Sequence, residues 1–579
     1  MHKAPKHLHR RILLLALPNI LSNITVPLLG TIDLALAGHL PNPNAIGGIA
    51  LGVTLFNLLY WGFGFLRMGT TGLTAQQHGE GNQQGMGLVL CQSVISAIVI
   101  GTALLALQKP LGHLVLQLLH PSPQLTSYTL SYYHIAVWGA PAVMLSYALM
   151  GFCVGMQNTF WPMVVSITAS VLNIAFSTYF VLVANLGIQG IALGTLIAQY
   201  LSCSMLAVGI WFLFFKRHKV QLPEHASAVW KGLGKLFRIN SAIFVRTLLL
   251  ISVTTFFTYA GTQMGVEVLS ANTQLLQFFT IFSYFADGFG YAAEALTGHY
   301  HGARHGAALR RVVIALLLWG FFIALLVSTL YFTNGEAFLS LLTNQLHILE
   351  YARQYMPYIY GLPLIAVAAF IWDGIYVGLA EAKGMVITMF IAVAVFFGTY
   401  YGLLATQYGA HLTQQLGLTH PNNVLWIAFL CYLGTRGIAQ TLLALRLPSL
   451  RSNTPTSVYY LSIGSTFTNQ EKQIRKAITS TWPDIELATF YTTPDATGRT
   501  NNTYINTVGR LHTTLLPHEL EKQAKKLEEA YGRQRNASTT AVALDVDVVM
   551  KGVEVLRPKD FMQSYFRQGY QQLLNAPEV

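Results

Sequence analysis

Twelve apolar stretches of roughly 20 residues, beginning near residues 12, 47, 88, 130, 160, 188, 242, 268, 311, 355, 384 and 423, dominate this chain. Each is long enough to cross the hydrocarbon core of a bilayer. In lipid a spanning segment must satisfy its own backbone hydrogen bonds, which a helix does. Residues 1–446 therefore read as an all-α polytopic membrane protein of twelve transmembrane helices. Charge is scarce where it would be costly. Of 23 acidic residues, 13 follow residue 455 and 10 precede it; of 35 Lys and Arg, 14 follow and 21 precede. The spans are acid-poor and the tail has the charge density of a soluble domain.

The basic residues sit between spans, so they set orientation and do not form a nucleic-acid surface. Lys3, Lys6, Arg10 and Arg11 precede the first span; Lys216, Arg217, Lys219, Lys231, Lys235 and Arg238 join the sixth and seventh; Arg304, Arg310 and Arg311 follow the eighth. The opposite loops 39–46 and 407–422 carry no Lys or Arg. The positive-inside rule then places both termini in the cytoplasm of a multi-pass inner or plasma membrane protein. The first span has no small-residue cleavage site, so it reads as a helix that stays. Cys91, Cys153, Cys203 and Cys431 lie in apolar stretches without paired spacing and read as small apolar fillers.

The chain repeats itself. "FGFLRMGTTGLTAQQHGEG" (63–81) aligns without gaps on "ADGFGYAAEALTGHYHGAR" (286–304), an offset of 223 that places Leu73, Thr74, His78 and Gly79 on Leu296, Thr297, His301 and Gly302. Six helices separate the copies, so the two halves share one orientation. The expected N-lobe spans about 10–216 and the C-lobe about 239–446, related by an axis along the membrane normal, as in transporters.

An ionisable group in mid-membrane costs at least about 2.5–3.5 kcal/mol on insertion scales, so acids within spans invite a reason. Asp33 stands in "LLGTIDLALAG", Asp287 in "SYFADGFGYAAE", Asp373 in "AFIWDGIYVG", and Glu294 deeper in the eighth span. Each either hydrogen-bonds to a neighbouring helix or takes up and releases a cation. Arg67 and Arg246 are expected to snorkel at span ends, and Arg436 either snorkels or neutralises a carboxylate. Trp61, Trp138, Trp372 and Phe282 either line a cavity for flat aromatic substrates or serve as packing and interface residues.

"LPNILSNITVPLLGTIDLALAGHL", "LYWGFGFLRMGTTGLTAQQHG" and "YFADGFGYAAEALTGHYHGA" resemble multidrug and toxic compound extrusion (MATE) antiporters, particularly their DinF branch. The resemblance covers residues 10 to about 445. It implies two six-helix lobes around a central cavity and export of organic small molecules, aromatic or pterin-like ones among them, coupled to H+ or Na+. Asp33 matches the first-helix aspartate that the family protonates or uses for Na+, and Asn173 in "SVLNIAFS" matches a fifth-helix asparagine. Where some members place a second aspartate this chain has Ser177, which leaves Asp33 as the single coupling acid of that lobe. Asp373 and Asp287 match the "DG" pairs of the tenth and eighth helices.

"LPSLRSNTPTS" (447–457) is a polar linker. Beyond it the period changes to a strand over 458–463, a helix over 468–480, strands over 485–491 and 503–513, a helix over 516–531 and a strand over 541–550: a small α+β domain across 458–579. In "ALDVDVVM" Asp545 and Asp547 alternate with apolar residues, so both acids share one face, a common way to hold a divalent cation against phosphates. An acid pair that merely deters edge pairing is the plain alternative.

"VYYLSIGSTFTNQEKQIRKAI", "ATFYTTP", "NNTYINTV", "LEEAYGRQR" and "ALDVDVVMKGVEV" in that order resemble 6-hydroxymethyl-7,8-dihydropterin pyrophosphokinase (HPPK). The resemblance implies a ferredoxin-like fold, ATP, and Mg2+ held by Asp545 and Asp547. It also implies a pterin contacted by Tyr504 and Asn506, with Arg533 and Arg535 on the nucleotide side and Glu528 ahead of them. The family's cationic catalytic loop is replaced by "NASTTAVAL", with Val542 where an Arg precedes the first Asp, and its later His-Pro element has no counterpart. Lys559 and Arg567 are the candidates to substitute for it, though neither aligns with it. A pterin-binding or regulatory role is therefore the leading reading, and an active diphosphokinase of folate biosynthesis the first alternative. For the chain as a whole, movement of a lipid-linked substrate by a flippase is the second alternative to cation-coupled export.

Overall fold

The structure is a computed structural model that describes residues 8–38, 44–119, 123–216, 220–223, 226–343, 345–415, 417–418, 420–451, 457–466, 471–483, 485–494, 503–513, 515, 517–531, 544–552 and 554–575. The chain forms two compact units, with the change from one to the other between Leu450 and Arg451.

The first unit is helical throughout. Its first half runs α1 (Leu8–Gly38), α2 (Asn44–Trp61), α3 (Phe65–Glu80), α4 (Gln83–Ala106), α5 (Gln108–Leu119), α6 (Pro123–Ala136), α7 (Ala140–Gly155), α8 (Phe160–Leu182) and α9 (Gly187–Ile210). The second runs α10 (Ala226–Gln263), α11 (Val266–Gly302), α12 (Gly306–Leu342), α13 (Leu346–Arg353), α14 (Met356–Gly378), α15 (Ala382–Ala405), α16 (Gln407–Gln415) and α17 (Pro421–Ala444), with α18 (Pro448–Arg451) at its end. Among the described residues, ten helical segments are long and apolar enough to cross a membrane, two of them being α2 with α3 and α6 with α7 run together. The other two expected spans are the 31-residue α1 and the 37-residue α11. Large apolar side chains such as Leu14, Phe160, Phe321 and Phe332 lie on the outside, the arrangement a lipid solvent favours over a buried one.

The internal repeat extends further than the sequence match. Ideal Cβ atoms at Gly79 and Gly302 would lie 1.9 and 2.0 Å from the carbonyl oxygens of His299 and Gln76. These two contacts are each other's image under the offset of 223. The same holds for Gly155 on Thr74 against Gly378 on Thr297, and for Gly151 on the Arg67 carbonyl against Gly374 on the Gly290 carbonyl. Ala75 and Gly298, themselves equivalent, meet directly where a Cβ on Gly298 would lie 2.6 Å from that of Ala75. α3 and α11 therefore pack on each other at backbone distance, which only small residues permit. Even the caps repeat: Gly81 and Arg304 are left-handed (φ 71° and 53°), as are Gln157 and Ala380 (59° and 57°).

The second unit is a six-stranded antiparallel sheet: β1 (Ser457–Ser465), β2 (Glu486–Leu487), β3 (Tyr491–Pro494), β4 (Thr503–Thr513), β5 (Asp545–Lys551) and β6 (Glu554–Val555), in the order β2-β4-β1-β5-β6 with β3 also on β4. α19 (Glu471–Thr481) and α20 (Pro517–Ala530) cover one face, where Leu461 and Ile463 meet Ile474, Ile478 and Leu520. That is the ferredoxin-like α+β arrangement. Beyond it, α21 (Pro558–Phe561) and α22 (Ser564–Asn575) follow, and Phe566 and Leu573 pack on Tyr460 and Val508 of the other face. Alternation along β1 supplies both faces at once.

Candidate functional sites

Three of the helical unit's sites are polar. In the first, Asp373 on α14 receives Arg246 from α10 and Arg436 from α17 on Oδ2, and Gln440 Nε2 donates to its Oδ1 at 2.6 Å. Asp373 is buried and Arg436 is 2% exposed, so two guanidiniums and an amide hold one carboxylate in a dry place. Buried ions persist only when paired in this way. In the second, Arg67 on α3 grips Glu294 on α11 through both terminal nitrogens (3.0 and 3.3 Å) and lies 3.9 Å from the centre of the Tyr291 ring. These pairs correct the snorkelling expected of Arg67 and Arg246, and for Arg436 they select neutralising a carboxylate over snorkelling. Three arginines face inward because inward carboxylates await them. A near-equal number of acids and arginines in the spans was the available signal. Asp287 is half-buried on α11, within electrostatic reach of Arg67, Arg246 and Arg436.

The third site has no charge. A cavity of about 230 Å³ opens among α7, α8 and α9, lined by Ser170, Asn173, Thr195, Gln199, Ser202 and Met150. Asn173 is 5% exposed and donates through Nδ2 to Thr195 Oγ1 at 3.0 Å. Among the described residues, Asn173 Oδ1 and Gln199 Oε1 are buried acceptors that receive no hydrogen bond. Ser177 is fully buried and donates back to the Ile191 carbonyl. Met150 is the counterpart of Asp373 under the offset of 223, so the two lobes share a backbone plan and differ in chemistry. Asp33 falls on α1, but its side chain lies outside the described ones. Trp372 and Phe282 are buried, whereas Trp61 and Trp138 are about half exposed.

In the second unit the register builds the site. Asn506, Gly464 and Asp545 stand side by side across β4, β1 and β5, and Ser462 stands beside Asp547. Asn506 Nδ2 donates to Thr493 Oγ1 at 2.6 Å, and its Oδ1 lies over Gly464, where an ideal Cβ would be 2.5 Å away. A glycine there keeps the sheet open beneath the amide. Tyr504, two residues along, is half-buried on the same face. Glu528 is buried and accepts the Val546 N–H at 3.0 Å, which pins α20 to β5 and gives it a structural task. Arg533, Arg535, Val542 and the replacing loop lie outside the described residues.

Sequence reasoning missed Arg557. Its guanidinium pairs with Asp547 and reaches Glu521 Oε1 at 3.4 Å, with Asp560 4.0 Å away. Burial and the neighbouring Asp545 push the Asp547 carboxyl up to about 6, in spite of Arg557 drawing it down. Burial and the nearby acids also raise the Tyr565 phenol, which shares a 2.8 Å hydrogen bond with Ser462 Oγ. An acid pair that resists holding two charges fits a divalent cation, and Mg2+ asks only one or two carboxylates of a protein when phosphates and water complete its shell. Among the described residues no group of three or more His, Cys, Asp or Glu could hold a metal alone.

Comparison with known proteins accounts for both units. Residues 18–179 and 242–400 match the MatE family model, and residues 460–572 match that of 7,8-dihydro-6-hydroxymethylpterin-pyrophosphokinase (HPPK). The chain is 34% identical over 430 residues to DNA damage-inducible protein F of Escherichia coli (strain K12), covering 73% of this chain and 89% of that protein. It is 25% identical to the probable multidrug resistance protein NorM of Shewanella oneidensis over 53% of this chain and 68% of the other. Among solved structures, an outward-facing conformation of a multidrug resistance MATE family transporter of the MOP superfamily aligns with TM-score 0.68 at 15% identity, over 78% of this chain and all of that one. A crystal structure of MATE in the straight conformation aligns with TM-score 0.67 at 15% identity and the same coverage. The chain belongs to the MATE family of multi-pass membrane transporters and carries an HPPK-type domain at its C-terminal end.

Proposed function

We propose that this chain exports organic small molecules across the inner or plasma membrane in exchange for H+ or Na+, by alternating access, with both termini in the cytoplasm. The carrying observation is how the in-span acids are divided. Asp373 is saturated by Arg246, Arg436 and Gln440, and Glu294 by Arg67. A carboxylate held by guanidiniums has no vacancy for a travelling cation. Coupling then rests on Asp33, with Asn173 and Thr195 as the neutral polar partners of its lobe and Asp287 in a secondary role. The Arg67–Glu294 pair joins α3 to α11 and so ties the two lobes together. Asp373 sets the electrostatics of the C-lobe.

Efflux of a cationic dye from everted membrane vesicles tests this assignment. Asp33→Asn should abolish gradient-driven efflux with expression retained. Normal pumping by Asp33→Asn, with loss in Asp373→Asn, would move the coupling site to the other lobe.

For the tail we propose binding of a hydroxymethylpterin by Tyr504 and Asn506, with Mg2+ on Asp545 and Asp547, in a regulatory role. Asp545 and Asp547 would hold the metal, which would supply positive charge against the phosphates. The polar loop in place of the cationic one, together with Arg557 committed to Asp547 and Glu521, leaves few free positive charges for a transferring phosphoryl group.

A further inference from the structure

At the end of the bundle where α1 begins, α7 passes into α8 and α9 finishes, a cavity of about 430 Å³ lies against Arg11, Gln157, Asn158 and Thr159 on its polar side and Leu14 and Phe160 on its apolar side. Arg11 Nη2 donates to Gln157 Oε1 at 2.5 Å and Nη1 to the Tyr300 hydroxyl at 3.4 Å. Among the described residues it meets no carboxylate, unlike Arg67, Arg246 and Arg436. Gln157 Nε2 is buried and has no acceptor among the described residues. A half-buried cation and a buried amide donor thus face one space with no anion among the described residues.

The fold does not demand these residues. Gln157 caps α7 in the left-handed region, its N–H donating to Val154 and the next N–H to Cys153. Ala380 caps α14 in the same conformation with the counterpart bonds, to Val377 and from Glu381 to Tyr376. The repeat therefore needs the cap and not the glutamine. The counterpart of Arg11 under the same offset is Gly234, and that of Asn158 is Glu381. The equivalent positions of the other lobe, Gly234 and Ala380, lack the side chains that make this chamber rich in donors.

We propose that this cavity holds the phosphate of an anionic phospholipid headgroup. Arg11 supplies the charge, Gln157 Nε2 and Asn158 supply amide donors, and the acyl chains lie along Leu14 and Phe160. The choice of lipid over a soluble anion rests on that apolar side: Leu14 is 58% exposed and Phe160 63%, large apolar side chains beside the polar donors that suit acyl chains and have nothing to offer a soluble anion. Arginine with amides suits a phosphate oxygen set, and basic pockets between spans are where lipid phosphates bind.

The test uses the full chain purified in detergent and native mass spectrometry, with dioleoyl-phosphatidylglycerol, dioleoyl-phosphatidylcholine and inorganic phosphate as probes. Phosphatidylglycerol should bind preferentially, and Arg11→Gln should weaken it at least about tenfold while leaving phosphatidylcholine unchanged, the scale of a lost charge-assisted bond. Gln157→Ala, whose backbone Ala380 shows to be tolerated, should weaken it severalfold and serves should Arg11→Gln fail to fold. Equal binding of the two lipids, or full binding by both variants, would overturn the proposal. Inorganic phosphate competing as well as phosphatidylglycerol would overturn the lipid assignment.

Discussion

A carboxylate inside a membrane protein declares itself by what it touches, and here the four in-span acids fall into two groups. Asp373 and Glu294 are bound to arginines, and on our proposal their role is electrostatic and structural. Removing a partner exposes the cost of a buried charge. Arg436→Leu should destabilise by about 3–5 kcal/mol, because Asp373 keeps only one guanidinium. A thermal midpoint of the purified protein equal to wild type would contradict this. In the tail, Asp547 lies near 6 because burial and Asp545 disfavour its charge. At the proposed Mg2+ site protons and metal therefore compete: metal affinity should hold above pH 6 and fall as pH drops through it. Arg557→Gln should strengthen Mg2+ binding by removing the internal cation, read by titration calorimetry on the full chain. Pairing that leaves Mg2+ affinity unchanged in Arg557→Gln would contradict it. The acids were legible because charge is rare in apolar sequence. Their arginine partners were not, since snorkelling and pairing look alike without the neighbouring helices.

At the scale of elements, the seam between α3 and α11 carries the most specific geometry. An alanine methyl at Gly79 would lie 1.9 Å from the His299 carbonyl oxygen, and that oxygen is backbone and cannot move alone. Gly79→Ala should therefore push the two helices apart and cost about 1–3 kcal/mol, as overpacking does. Gly234→Ala, with nothing within 4 Å, should be near neutral or stabilising. Comparable melting of the two variants would remove the seam from the account. The repeat was visible in "LTAQQHG" and "LTGHYHG", but its reach into α7 and α14 was not, because equivalent glycines there sit in dissimilar sequence. In the tail, the expected strands over 458–463 and 503–513 and helix over 516–531 appear within a few residues as Ser457–Ser465, Thr503–Thr513 and Pro517–Ala530. The expected strand over 485–491 is instead two short ones, Glu486–Leu487 and Tyr491–Pro494. α22 was missed, although Phe566, Tyr570 and Leu573 at i, i+4 and i+7 form a readable apolar stripe.

For the whole molecule, hydropathy was enough to expect a polytopic bundle, since only helices and closed barrels satisfy a backbone in lipid. It could not say which chemistry each lobe holds. The lobes share one backbone plan, yet one encloses a neutral cavity around Asn173 and the other an ion cluster around Asp373. The two lobes therefore offer a passing solute different chemistry on one backbone plan. The most direct test reconstitutes the purified chain in sealed liposomes loaded with a fluorescent organic cation and imposes either a pH or a Na+ gradient, with no ATP present. Efflux should follow one of the two gradients, stop when it is collapsed by an ionophore, and be absent in Asp33→Asn. Efflux that ignores both gradients, or that persists unchanged in Asp33→Asn, would contradict cation-coupled antiport.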